Sequence, residues 1–179
     1  MSDLTAYAAD TIAAVATPVG MGGIAVVRVS GPNAQQVVAG VFRPARRHRG
    51  DGSPPAHDRG WHATYGRVYD SCGEFIDEAI MLSMPGPSSY TREDVVELSC
   101  HGGPAVVRAV LQAVLDAGAR HAGPGEFTRR AFLNGRISLG QAEAVLQVIN
   151  ARTERARRSA SAFLSGEPGR MVQESLEAV

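Results

Sequence analysis

The chain has 179 residues, with 18 basic residues, 18 acidic residues and a formal net charge of zero. That length suffices for one good core, or for a small domain with an appendage. Neutrality argues against a bulk polyanion binder, and every basic residue is Arg, so any motif that needs Lys is absent.

Two cysteines, Cys72 and Cys100, form no paired framework and fit a reducing compartment. The opening MSDLTAYAAD has acids and no basic n-region, and no apolar run approaches the length of a membrane span. The expected address is the cytoplasm, with no membrane partner.

In chain order, the apolar runs Thr11–Thr17 and Ile24–Ser30 read as strands, separated by the turn-rich Pro18-Val19-Gly20-Met21-Gly22-Gly23. Gly31-Pro32-Asn33 opens a helix in which Ala34, Val37, Val38 and Val41 repeat at helical spacing. Residues 44–60 hold hardly an apolar side chain and read as a mobile surface loop. His62–Asp70, Phe75–Met84 and Val95–Cys100 follow as strands. His101-Gly102-Gly103-Pro104 then leads into a helix with Val107, Val110, Leu111 and Val114 on one face and Gly118 at its C-terminal cap. The order β-β-α-β-β-β-α is an α+β pattern.

Beyond this the text is helical. Ser138 and Gln141 have capping-box spacing. Ala142, Val145, Leu146, Ile149, Ala156, Ala160, Phe163 and Leu164 predict one long amphipathic helix. Gly166-Glu167-Pro168-Gly169 ends it, and Arg170–Val179 reads as the start of another helix. The expected domains are 1–122, with the mobile loop 44–60, a connecting segment 123–137, and the beginning of an all-α domain at 138–179.

Gly20-Met21-Gly22-Gly23-Ile24-Ala25 satisfies a dinucleotide-binding fingerprint, but that site needs a helix directly behind the glycines, and here a strand follows. A P-loop is excluded because there is no Lys. Five scattered histidines lack zinc-ligand spacing. Cys100 and His101 are adjacent, so their side chains diverge in extended chain and form no nucleophile–base pair. The turn at His101–Pro104 exposes backbone N–H groups that can hold an anion, although many strand–helix turns bind nothing. Arg152, Arg155, Arg157 and Arg158 make a basic helix face, with Glu154–Arg158 as an i,i+4 pair.

Arg28 points away from Val27 and Val29 in an alternating strand, and Glu97 poses the same question in its own strand. A solvated face, an Arg28–Glu97 structural pair and a ligand contact all satisfy such side chains.

Taken together, several segments resemble the tRNA modification GTPase MnmE (TrmE) family. They are Asp10–Pro18, Val27-Arg28-Val29-Ser30-Gly31, Met84–Thr91, Glu93–Leu98, His101–Pro104, Pro124–Thr128, Arg130–Asn134 and Gln141–Ala144, in order and at fitting spacing from about Asp10 to Gly166. The resemblance implies a β2-α-β3-α folate-binding unit, an aminomethyltransferase-like half that a homodimer completes, followed by the beginning of the helical domain. It implies a tetrahydrofolate derivative (5-formyl- or 5,10-methylene-tetrahydrofolate) contacted by Arg28, Glu97 and Arg136, with no catalytic residue in these 179. The family's partners are an MnmG-type flavoprotein and tRNA, whose wobble uridine receives a carboxymethylaminomethyl-type group.

The resemblance further places GTP, potassium and magnesium in a GTPase domain beyond a truncation. This chain alone is expected not to hydrolyse GTP, although the full-length family protein is an enzyme. Met21 stands where the family commonly has Arg, and 44–60 looks like an insertion. Two alternatives stand beside this reading. One is a stand-alone folate-dependent aminomethyltransferase-like protein, which needs a second copy of the unit that the chain lacks. The other is an RNA-binding module resting on the arginine-bearing helix.

Overall fold

The structure, a computed structural model, describes residues 10–45 and 60–166. Most of the loop expected over 44–60, and the helix expected over Arg170–Val179, lie outside the described residues. The chain divides into two compact units, Met1–Pro124 and Gly125–Val179.

The first unit is built on β1 (Ile12–Val15), β2 (Gly22–Ser30), α1 (Ala34–Val41), β3 (Phe42–Pro44), β4 (His62–Tyr69), β5 (Phe75–Met84), β6 (Val95–Gly102), α2 (Pro104–Asp116) and β7 (Arg120–His121). They form one seven-stranded sheet in the order β3-β4-β5-β6-β2-β1-β7. All neighbours are antiparallel except β1 and β7, so the sheet is mixed. The α+β expectation holds.

The short β3 and β7 are additions to the expected elements; strands of three and two residues are too brief to show a period. The glycines Gly22 and Gly23 begin β2 itself, in keeping with the rejection of a dinucleotide site. Gly102 has a firm steric reason: a Cβ there would meet the Gly22 carbonyl oxygen at 2.5 Å.

Alternation sorts the sheet's side chains into two faces. Ala25, Val27, Val29, Val96, Leu98 and Cys100 belong to the core that also contains Val37, Val38 and Val41 of α1 and Val110, Ala113 and Val114 of α2. The helices therefore cover one face. Arg28, Glu97, Tyr65 and Ile80 lie on the other, open face, where Tyr65 and Ile80 stay exposed. Cys100, buried against the helices, has its thiol pushed up by burial and by the nearby Asp77 charge.

The second unit holds α3 (Glu126–Leu133), α4 (Leu139–Asn150) and α5 (Glu154–Leu164). A helix, α3, thus occupies the segment read as a connection. The long helix expected behind Ser138 is two helices: Thr153 leaves helical geometry and its hydroxyl accepts from Ala156 N–H, capping a new start. The capping box at Ser138 and Gln141 forms as expected, with bonds in both directions. No helix among the described residues is long and apolar enough to cross a membrane.

Candidate functional site

The site grows from strand register. On β2 and β6, Arg28 and Glu97 are direct cross-strand partners, 69 residues apart in sequence. Arg28 Nε donates to Glu97 Oε1 at 2.7 Å, and the guanidinium NH2 reaches the same oxygen at 2.7 Å. Side-chain exposures of 27% and 18% place the pair between core and solvent. Such a pair is partly desolvated, so it is better ordered than a surface pair yet still reachable by a ligand.

The β5–β6 connection supplies a wall. In Pro85–Asp94 the turn residues pin the loop: Gly86 N–H donates to Asp94 Oδ1 at 2.9 Å, and the Ser89 hydroxyl donates to the Glu93 carbonyl. Ser30, two residues along β2 from Arg28 and on the same face, donates to Glu93 Oε2 at 2.7 Å and shares a 2.7 Å bond with Thr91. The loop is thus tied down beside the pair, and the Tyr90 ring takes the Arg28 guanidinium 5.4 Å from its centroid. Gly86 allows the close fold, because a Cβ there would sit 2.8 Å from the Arg92 carbonyl oxygen.

Of the three sequence-predicted site residues, Arg28 and Glu97 come together. Arg136 belongs to the second unit, where it is exposed and its backbone N–H closes the end of α3 on the Ala131 carbonyl. Tyr90 and the Ser30–Thr91–Glu93 ties were not singled out from the sequence. Their signal was a run dense in Pro, Gly and Ser, ending in an aromatic residue between two strands.

In the turn at His101–Pro104, the His101 N–H donates to Asp77 Oδ2 at 2.8 Å. As expected, Cys100 and His101 face opposite ways, buried and exposed. No cluster of three metal-ligating side chains occurs among the described residues.

Glu97 Oε1 takes both contacts from Arg28, while Oε2 takes no side-chain partner among the described residues. An oriented carboxylate with acceptor capacity left, beside a guanidinium and an aromatic ring, suits a flat ligand with paired N–H donors. The fold and the pair define a small α+β domain with a mixed sheet.

Over residues 11–136 the chain matches the family described as GTP-binding protein TrmE N-terminus. It is similar to proteins named tRNA modification GTPase MnmE. With that of Symbiobacterium thermophilum it is 56% identical over 88% of this chain and 33% of the relative. For that of Chloroflexus aurantiacus the figures are 51%, 95% and 36%, and for that of a Roseiflexus species 52%, 88% and 32%. The chain belongs to the TrmE N-terminal family and spans about one third of the length of these curated relatives.

Proposed function

We propose that this chain is the folate-binding part of a tRNA-modifying GTPase. In this reading a tetrahydrofolate bound here supplies the one-carbon unit. An MnmG-type flavoprotein acts with it to place a carboxymethylaminomethyl-type group on the wobble uridine of certain tRNAs in the cytoplasm. The β2-α-β3-α unit is half of a duplicated folate fold, which a second copy of the chain completes as a homodimer. GTP hydrolysis, with potassium and magnesium, belongs to other parts of the family protein.

Family membership supports the tRNA-modifying role. The observation that carries the folate reading is the oriented Arg28–Glu97 pair on the open sheet face. The free capacity of Glu97 accepts the adjacent N–H donors of a 2-amino-4-oxo pterin, and charge strengthens both bonds. Arg28 holds the carboxylate in place and offers a guanidinium to an acidic group.

Calorimetric titration of the folded chain with 5-formyl-tetrahydrofolate should show saturable heat and a raised melting temperature. Glu97→Gln sets an NH2 against the pterin donors and removes the charge, a loss of about 1.5–3 kcal/mol, so affinity should fall roughly tenfold to a hundredfold. The apo-protein should change by less than about 1 kcal/mol, because Gln is nearly isosteric and the site is partly open. No heat from folded protein would sink the proposal. Unchanged affinity with a large stability loss would make Glu97 only the structural partner of Arg28.

A further inference from the structure

The other end of the open face carries a cluster that the folate reading leaves unused. Glu97, Ser99 and His101 alternate onto the same face of β6, so His101 stands about 13 Å along the strand from Glu97, at about 3.3 Å per residue. Across β3 and β4, Arg43 is the direct partner of Arg67. Two like charges set opposite each other repel.

Each guanidinium lies over a ring, Arg43 at 4.4 Å from the Tyr69 centroid and Arg67 at 5.8 Å from that of Phe75. The two rings meet edge to face at 6.1 Å. Glu78, 3.6 Å from Arg67, offsets one of the two charges; among the described residues no carboxylate reaches Arg43. An open depression of about 470 Å³ lies here, lined by Arg67, Tyr69, Phe75, Asp77, Glu78 and His101.

His101 is held with care. The buried Asp77 accepts its backbone N–H on Oδ2 and its ring Nδ1 on Oδ1, each at 2.8 Å. Burial works to raise the Asp77 carboxyl, but these bonds from His101, with one from the Glu78 backbone, outweigh it and leave the group below its ordinary value. An ionised carboxylate has no proton to give, so Nδ1 carries the proton of this bond, and in the neutral imidazole Nε2 is then the acceptor. The His101 side chain is 71% exposed, so that acceptor is open to a ligand.

We propose that this cluster is a nucleotide subsite: a phosphate bridges Arg43 and Arg67, a base stacks on Phe75, and an N–H of the base edge donates to His101 Nε2. Phe75 is 56% exposed and presents a ring face for stacking. The phosphate removes the Arg43–Arg67 repulsion, and the oriented imidazole accepts from an amino or imino N–H, which every RNA base carries. A free nucleoside monophosphate and one nucleotide of a single-stranded RNA share this chemistry. The inference does not rest on the folate reading.

The test titrates the whole 179-residue chain with AMP, CMP, GMP and UMP, and with a fluorescein-labelled single-stranded pentaribonucleotide. Anisotropy and the 15N resonances of the His101 ring are followed. Saturable binding should shift the His101 Nε2 resonance. Phe75→Ala should weaken binding roughly 5- to 150-fold, the factor for losing one stacked base. Arg43→Gln should weaken it and lower the salt slope on the pentamer by about 0.7. Glu97→Gln should leave it unchanged, which separates this site from the folate site.

Mononucleotides binding as tightly as the pentamer would assign the free nucleotide, and a tighter pentamer would assign RNA. Absence of saturation by every probe at millimolar concentration overturns the proposal. So does binding that neither variant alters or that leaves the His101 ring unmoved.

Discussion

The two units use their apolar residues differently. In the sheet unit Val27, Val29, Val96 and Leu98 are wholly buried beneath α1 and α2. Among the described residues of the helical unit the buried apolar residues are all small, Ala131, Ala144 and Ala160, while Leu139, Leu146, Ile149 and Phe163 remain exposed. Sheet strands have both neighbours and a helical roof to pack against. Helices of eleven or twelve residues carry an apolar stripe wider than one antiparallel neighbour covers.

The ion pairs differ in the opposite sense. Arg28–Glu97 in the sheet unit is half-open, whereas Glu126 and Arg130 of α3 are 9% and 4% exposed at their side chains and meet at 3.2 Å. The sheet unit has a hydrophobic core and a semi-open pair. The helical unit, in its described residues, has a buried ion pair and much of its apolar surface uncovered.

That contrast can be broken most forcefully at Glu126. Glu126→Gln leaves the Arg130 guanidinium buried without its carboxylate, so stability should fall by about 3–5 kcal/mol. Helix loss followed at 222 nm in urea would show it. A loss under about 1 kcal/mol would mean that water reaches the pair in solution.

Leu98→Ala ranks next. It empties a fully buried position and should cost about 2–5 kcal/mol. Trp61, the chain's single tryptophan, lies in the sheet unit and reports its unfolding by fluorescence. The matched change in the other unit, Leu146→Ala, should move stability by no more than about 0.5 kcal/mol. A loss at Leu146 rivalling that at Leu98 would show the helical stripe to be covered in solution.

The smallest effect concerns pH. Hydrogen bonds from Arg157 and then Arg158 hold the Glu154 carboxyl down to about 2. Its folded value lies below the ordinary carboxyl value of 4.5, so the support it gives α5 is present above that pH and lost as pH falls towards about 2. The group is fully exposed, so the expected change is a slight drop in helicity over that window, absent in Glu154→Gln. An identical acid titration in both proteins would show the triad to be idle.

Much of the sheet unit was legible in the sequence. Alternation assigned Arg28 away from Val27 and Val29, and Phe75–Met84 was bounded correctly; in the helical unit the Ser138 capping box announced α4, because each signal lies in residues close in sequence. The break between α4 and α5 was not read. An apolar stripe can run in phase through a three-residue interruption, and a Thr signals a cap only once the backbone has turned there.

What the sequence by itself determined is which residues share a face and which segments are strand or helix, since a period of 2 or 3.6 is a property of the local backbone. Only the tertiary structure decided which strands lie side by side. It set Glu97 opposite Arg28, Arg43 opposite Arg67, and Asp77 against His101 across 24 residues of chain. Periodicity says where a side chain points and nothing about its neighbour, because cross-strand register is fixed by the packing of the whole sheet against its helices.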